Sequence, residues 1–350
     1  ATGHRMAQRI IPEADGHIFF PFDLPVITER IVNIVNPKAI ILIETELWPN
    51  FLRLAWRKKI PVMMMNGRIS GRSMRRYSLI KRFTTRMLLQ IRKFCMQSKI
   101  DRERIISMGA IPKRVVITGN TKYDQTYAEV SEEERAKLRR EFRFEGKGPI
   151  IVAGSTHGGE EEIVVRTFGK VLEKYPDARL LLAVREITRA ASVRFMIKHQ
   201  GYTVLRRSKM GTDEDDGKGA QIVILDTIGE LGRLYSLADV VFVGGSFVKV
   251  GGHNILEPAA HGKPVLVGPY MFNFQEIFEL LSQRGVCIMT PDEKSFETTL
   301  LDLLGNPEKM KKMGEAALEV VHENQGATER NIASFEELVK EYGIKLRENA

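Results

Sequence analysis

The chain has 350 residues, 43% of them hydrophobic, 28% charged and 8% aromatic, with two cysteines and a net charge of +9. That length suits about two domains, and the proportions exclude a disordered, collagenous or disulfide-scaffold protein. No run of about 18 apolar residues occurs, so the sequence predicts no membrane-spanning helix.

Short apolar runs bounded by turn residues predict buried strands. In chain order they fall at 17–20, 39–43, 62–65, 94–97, 115–118, 150–153, 180–184, 203–205, 222–225, 240–243, 264–267 and 286–289. Amphipathic spacing predicts helices at 26–35, 48–58, 79–91, 132–142, 160–175, 190–199, 230–237, 274–284 and 295–304. A last helical, polar segment runs over 315–349. Strand–helix alternation over this length predicts α/β, doubly wound parallel domains. The boundaries read as a first domain at 1–130, a linker at 131–148, a second domain at 149–325, and a terminal helix at 326–350.

Charge divides the chain at the same place. Residues 1–127 carry 23 basic and 9 acidic side chains, and residues 128–350 carry 30 and 35. Between 53 and 104 there are 16 basic residues against Asp101 and Glu103 alone. A cationic module therefore precedes a mildly acidic one, which excludes a uniformly basic, histone-like protein. Within 68–93, Arg72, Arg75, Arg76, Lys81, Arg82, Arg86, Arg92 and Lys93 interleave with Tyr77, Leu79, Ile80, Phe83, Met87 and Leu88. This pattern suits an amphipathic helix on anionic lipid or a phosphate-binding face. A solvated helix whose apolar side is core gives the same pattern. Cys95 and Cys287 have no metal-ligand spacing and read as buried small residues. The acidic patch from Asp213 to Asp216, set between glycines, reads as a surface loop rather than a metal site.

Three segments place small or polar residues between a strand and a helix of the second domain. Gly154-Ser155-Thr156-His157-Gly158-Gly159-Glu160 has the shape of a phosphate cradle but lacks the Gly-Lys-Ser/Thr ending of a P-loop. Asp226-Thr227-Ile228-Gly229-Glu230 opens a helix that Thr227 can cap, leaving N–H groups for a polar ligand. Gly244-Gly245-Ser246 and Gly251-Gly252-His253-Asn254-Ile255-Leu256-Glu257-Pro258 follow the next strand. Asn254 and Glu257 have capping-box spacing. Glu257 either serves only that cap or accepts hydrogen bonds from a ribose, with the glycines admitting a ligand. All three segments can lie at the strand C-terminal edge, where doubly wound folds bind nucleotides.

In the first domain, Glu44-Thr45-Glu46-Leu47-Trp48-Pro49-Asn50 follows a strand. Glu44 and Glu46 share one side if the strand continues through them, or they compensate a helix dipole. Lys122 lies in Gly119-Asn120-Thr121-Lys122-Tyr123-Asp124, just past another strand. A lone lysine is ordinarily a solvated one.

These segments, with Asn324-Gln325-Gly326-Ala327, occur in an order that resembles the 3-deoxy-D-manno-octulosonic acid (Kdo) transferases of lipopolysaccharide synthesis. The resemblance runs over essentially the whole chain. It implies two Rossmann-like domains of GT-B type, with a final helix returning to the first. It implies CMP-Kdo as donor, a phosphorylated lipid A precursor as acceptor, inverting transfer without a metal or cofactor, and work at the cytoplasmic face of the bacterial inner membrane. The 68–93 stretch then meets anionic lipid, and no nucleic acid is expected. CMP-Kdo contacts are implied at Gly154, Ser155, Arg185, Ile228, Gly229, Glu230, Asn254, Ile255, Leu256 and Glu257. Glu44 and Lys122 are implied as supports of the transition state.

Two departures accompany the resemblance. The family's base is a glutamate in a Ser-x-Gly-Glu-type segment that this sequence lacks, as it lacks the membrane anchor. The expectation is an N-terminally truncated chain, without the first strand–helix–strand unit and inactive as a transferase. The family's Pro-Arg-His-Pro-Glu-Arg is here Val184-Arg185-Glu186-Ile187-Thr188-Arg189. Rival readings are a UDP-sugar transferase or epimerase of the same fold, and a non-enzymatic protein that binds anionic lipid or nucleic acid.

Overall fold

In the computed structural model, which describes residues 2–125, 130–212 and 218–345, strand and helix alternate along the chain. The acidic patch at 213–216, Tyr127 and the expected end of the last helix at 346–349 lie outside the described residues. Strands β1 (Ile40–Ile43), β2 (Val62–Gly67), β3 (Lys93–Met96) and β4 (Val115–Ile117) form one parallel sheet in that spatial order. A second parallel sheet contains β5 (Ile150–Thr156), β6 (Arg179–Val184), β7 (Val204–Arg206), β8 (Ile222–Leu225), β9 (Val240–Val243), β10 (Val265–Val267) and β11 (Cys287–Met289). Its order is β11-β10-β9-β5-β6-β8-β7. The sheets belong to two units, Ala1–Asp124 with Asn324–Ala350, and Gln125–Glu323. Strands β8 and β9 are buried along their whole length, as expected for a sheet covered on both faces.

Several expectations need correction. Residues 17–20 form no strand. Phe20 instead packs its ring 5.1 Å from Trp48 and 5.2 Å from Phe51. The helix expected at 79–91 is shorter, Lys81–Leu88, and a separate helix, Gly71–Ser78, precedes it, capped by the Ser70 hydroxyl. Residues 131–148 are not a linker. The helix Glu132–Glu141 belongs to the second unit, with Leu138, Phe142 and Phe144 buried and the Arg207 guanidinium 4.9 Å from the Phe142 ring centre. The last helical stretch is two helices, Pro307–Glu323 and Ala327–Glu341, separated at Gly326, whose φ of 82° ends a regular helix.

The helix Ala327–Glu341 packs on the first sheet. Leu338 sits with Met63 and Cys95, Lys93 pairs with Glu337 at 2.7 Å, and Arg330 donates to the Thr118 carbonyl at 2.8 Å. Its N-terminus is capped from about two hundred residues away. The Asp124 carboxylate accepts the N–H groups of Gly326 (2.7 Å), Ala327 (3.3 Å) and Thr328. Burial works against ionisation of Asp124, and these N–H groups outweigh it, lowering its pKa.

In the second unit the chain crosses between the two halves of the sheet at β5 and β9, which are neighbours. One buried side chain ties their C-terminal ends. Glu160, at the start of the helix Glu160–Lys174, accepts N–H groups of His157 (2.9 Å) and Gly245 (2.7 Å) on Oε2. Its Oε1 accepts those of Ser246 (3.0 Å) and Phe247 (2.8 Å). Gly244 admits this approach, because a Cβ there would lie 2.8 Å from Glu160 Oε2 and 2.6 Å from the Ser155 carbonyl.

Two outcomes follow for stability. Asp124→Ala removes a helix cap and lowers stability by about 1–2 kcal/mol in urea denaturation. Because the native pKa of Asp124 lies below the ordinary 3.8, its contribution is complete above that value and is lost as the pH falls through the native pKa. Glu160→Gln turns an NH₂ group toward two backbone N–H donors. It costs about 2–4 kcal/mol, read from the denaturation midpoint.

Candidate functional site

All strands of the second sheet are parallel, so the loops after β5, β6, β8 and β9 emerge at one edge. The crevice between β5 and β9 is the topological switch point, where such folds take ligands. The sequence-predicted residues of this domain lie on those loops.

Gly154 and Ser155 are the last turn of β5, beside a register shift between Ala153 and Thr156. A Cβ on Gly154 would lie 2.0 Å from the Tyr235 hydroxyl, so this glycine makes room for a buried tyrosine. Ser155 has φ 56°, a left-handed conformation that costs a non-glycine residue energy and collects at functional sites. Arg185 follows β6. Its backbone N–H is held by the Thr156 carbonyl at 2.9 Å, and its side chain is exposed. Among the described residues its guanidinium forms no hydrogen bond or ion pair. Arg189 differs. It grips the buried Glu161 carboxylate with two contacts, 2.9 and 3.3 Å, so this second arginine is committed to the protein.

After β8 the helix predicted at 230–237 is one turn, Leu231–Leu234, continued by a 3-10 turn. Thr227 does not cap it. Its hydroxyl donates to Glu230 instead. Glu230 also accepts from Arg207 (3.0 Å) and Arg233 (3.1 Å). Burial raises its pKa, and these donors more than reverse the effect. Its carboxylate is thus spent on holding the loop. Ile228 is 86% exposed, and Gly229, with φ 91°, has open space where a Cβ would stand. Asp226 is buried and held by Arg206 (2.7 Å) and by the Ser208 N–H (2.8 Å).

After β9 the glycines serve the chain itself. The N–H groups of Gly251 and Gly252 both point to the Gly245 carbonyl, at 3.1 and 2.7 Å. A Cβ on Gly251 would lie 2.4 Å from Phe272, and one on Gly252 would lie 2.3 Å from Met271. The expectation that both glycine pairs admit a ligand is corrected: close packing of backbone against loop 270–273 requires Gly251 and Gly252. The helix begins at Leu256, and the Asn254 Oδ1 accepts the Leu256 N–H at 3.1 Å. Asn254 Nδ2 donates to Glu257 Oε1 at 3.1 Å, so the capping box closes through side chains. Ile255 and Leu256 are fully buried, and the Leu256 N–H is already held by Asn254. Glu257 is half-buried, burial raising its pKa against the opposing Asn254 contact. Its Oε2 accepts no hydrogen bond among the described residues.

Two histidines that the sequence reading passed over meet here. His157 Nε2 and His253 Nε2 are 2.8 Å apart. Burial, then the nearby Arg185 charge and His157, hold His253 down to a pKa of about 4.

In the first unit, β1 stops at Ile43, so Glu44 and Glu46 do not share a strand face. Glu44 has φ 59° and gives its N–H to the Met65 carbonyl at 2.9 Å. Its carboxylate is exposed and forms no hydrogen bond or ion pair among the described residues. Glu46 accepts from Trp48 Nε1 at 2.8 Å. Asp23, which no sequence pattern singled out, accepts the N–H groups of Asn50 and Phe51 and so caps the helix Pro49–Arg57. Lys122 lies on the short 3-10 helix Thr121–Asp124, past β4, half-exposed. Among the described residues no group of three metal-ligating side chains occurs.

Residues 1–125 match the model of the 3-deoxy-D-manno-octulosonic-acid transferase (Kdo transferase) family, and residues 212–320 that of glycosyl transferases group 1. A 3-deoxy-D-manno-octulosonic acid transferase of Haemophilus influenzae is 36% identical over 330 residues, covering 94% of this chain and 76% of that protein. One of Bordetella pertussis is 29% identical, covering 96% and 79%. Among solved structures, a UDP-GlcNAc 2-epimerase from Neisseria meningitidis superposes with a TM-score of 0.61 at 15% identity, over 97% of this chain and 90% of that one. That likeness concerns the fold, which is α/β of the GT-B type with two Rossmann-like units. From the first unit to the last helix, the chain belongs to the 3-deoxy-D-manno-octulosonic acid transferase family, glycosyltransferases of lipopolysaccharide core biosynthesis.

Proposed function

We propose that the enzyme to which this chain belongs moves Kdo from CMP-Kdo to a phosphorylated lipid A precursor at the cytoplasmic face of the inner membrane, by inverting transfer. The supporting observation is the set of uncommitted polar groups at the C-terminal edge of the second sheet. Arg185 offers an unpaired guanidinium for a phosphate. Glu257 offers Oε2 to ribose hydroxyls. The exposed Ile228–Gly229 backbone offers a surface for a base. Asn254 keeps Glu257 in place, and Glu230 keeps its loop. Ile255 and Leu256, fully buried, anchor the loop that carries Asn254 and Glu257. Ser155 and Gly154 shape the floor.

An acceptor hydroxyl oxygen attacks the anomeric carbon, the carbon–oxygen bond to phosphate breaks, and CMP leaves with the electron pair. The hydroxyl proton passes to a carboxylate base, which the resemblance puts in the Ser-x-Gly-Glu-type segment and not on any residue of this sequence, an assistance worth about 10²–10⁴-fold. Arg185 stabilises the charge gathering on the departing phosphate. Glu44 and Lys122, at strand ends of the first unit, support the transition state.

The basic stretch suits lipid better than nucleic acid. Arg75, Arg76, Lys81, Arg82 and Arg86 are exposed, as are Leu79 at 85%, Ile80 and Phe83. Apolar side chains ringed by cations enter a headgroup layer, whereas phosphate backbones offer them nothing to bury in. Met87 and Leu88, on the other side, are core. No helix of the described residues is long and apolar enough to cross a membrane.

Two measurements test this. In thermal unfolding CMP stabilises the protein and UDP does not, while Arg185→Ala weakens CMP binding about tenfold or more by calorimetry. Equal protection by UDP, or unchanged CMP affinity in the variant, refutes the donor assignment. In sedimentation with anionic phospholipid vesicles, Leu79→Ser with Phe83→Ser reduces binding at unchanged net charge. Loss of binding to DNA at matched salt in the same variant would instead favour a nucleic-acid surface.

A further inference from the structure

His157 and His253 lie 96 positions apart in sequence and meet at the switch point. Their rings are nearly parallel, at 1°, with centres 5.1 Å apart. A nitrogen–nitrogen distance of 2.8 Å is a hydrogen bond, and it requires one N–H and one lone pair. The two Nε2 atoms therefore share a single proton, and burial beside Arg185 keeps the His253 ring neutral. Each Nε2 is spent on the other. The arrangement is closely supported. Glu160 Oε2 accepts the backbone N–H groups of His157 and Gly245, and a Cβ on Gly245 would lie 2.9 Å from the His253 ring.

The charged and titratable neighbours come from three directions. Arg185 follows β6, His157 follows β5, and Glu160 starts the helix behind them. Arg185 and burial both disfavour a second positive charge on His253. An anion bound at Arg185 reverses that balance.

We propose that His157 and His253 form a one-proton clasp at the phosphate position of the donor site, which a nucleotide phosphate opens. The proposal rests on the donor reading above. When phosphate arrives, one ring takes a proton from solvent. Both Nε2 atoms then carry hydrogen, the bond between them is lost, and two donors turn to the ligand. No bond other than N–H forms. The phosphodiester of a sugar nucleotide carries one negative charge, and the departing nucleoside monophosphate approaches two, its second ionisation lying near 6. The acquired proton answers that second charge, so the clasp favours the leaving group over the donor.

The test is calorimetry of CMP binding at about pH 7.5, where CMP is already a dianion, in two buffers of different ionisation enthalpy. Wild type takes up about one proton per CMP. His157→Gln and His253→Gln take up none and bind CMP several-fold more weakly. In the unaltered protein, histidine side-chain ¹⁵N resonances change from two neutral rings to one imidazolium on adding CMP. Binding without proton uptake, equal uptake in the variants, or resonances that stay neutral overturns the clasp and leaves the donor reading standing. Absence of any CMP binding removes both.

Discussion

The Glu160 carboxylate takes four backbone N–H groups from two loops, and the C-terminal edge of the second sheet is organised around that capture. Consecutive N–H groups in a glycine-rich turn form a concavity that attracts an anion. Here the chain supplies its own. The N–H groups of residues 245–247 are therefore unavailable as a phosphate cradle. This is why the unpaired Arg185 carries the donor reading, and why the glycines after β9 do not. Glu160 also fixes the backbone under His157 and Gly245, which brings the two imidazoles within bonding distance.

Four of the segments that carry the family resemblance meet in two pairs. Residues 119–124 bring Asp124 to the N–H groups of Gly326, Ala327 and Thr328, within the segment 324–328. Residues 154–157 and 251–258 meet through the histidine pair. Much of what the motifs encode is thus the joining of distant loops. Among the described residues the side chains of Glu44 and Arg185 make no such joint. Glu44 and Ser155 also hold left-handed backbones at strand ends, a cost that the surrounding hydrogen bonds sustain.

The strands were legible because β5, β6, β8 and β9 are unbroken apolar runs, and burial on both faces demands that pattern. The error at 17–20 has the same origin, since aromatic residues there pack ring on ring and form no ladder. Residues 131–148 looked like a linker from their charges, glycines and proline, yet Phe142 and Phe144 anchor them in the core. Glu160 heads a run of three glutamates, which reads as dipole compensation. Only the fold shows that the first of them faces another loop. The histidine pair was invisible for the same reason, as no local period links positions 157 and 253.

The first unit is assembled from both ends of the described chain, with Asp124 waiting for a helix that begins at Ala327. On the ribosome, Gln125–Glu323 is complete before that helix emerges. The second unit can therefore fold while the cationic one still lacks its final layer over Met63 and Cys95. The cationic unit is thus completed after the other, and its apolar sheet surface stays open until the helix Ala327–Glu341 has emerged.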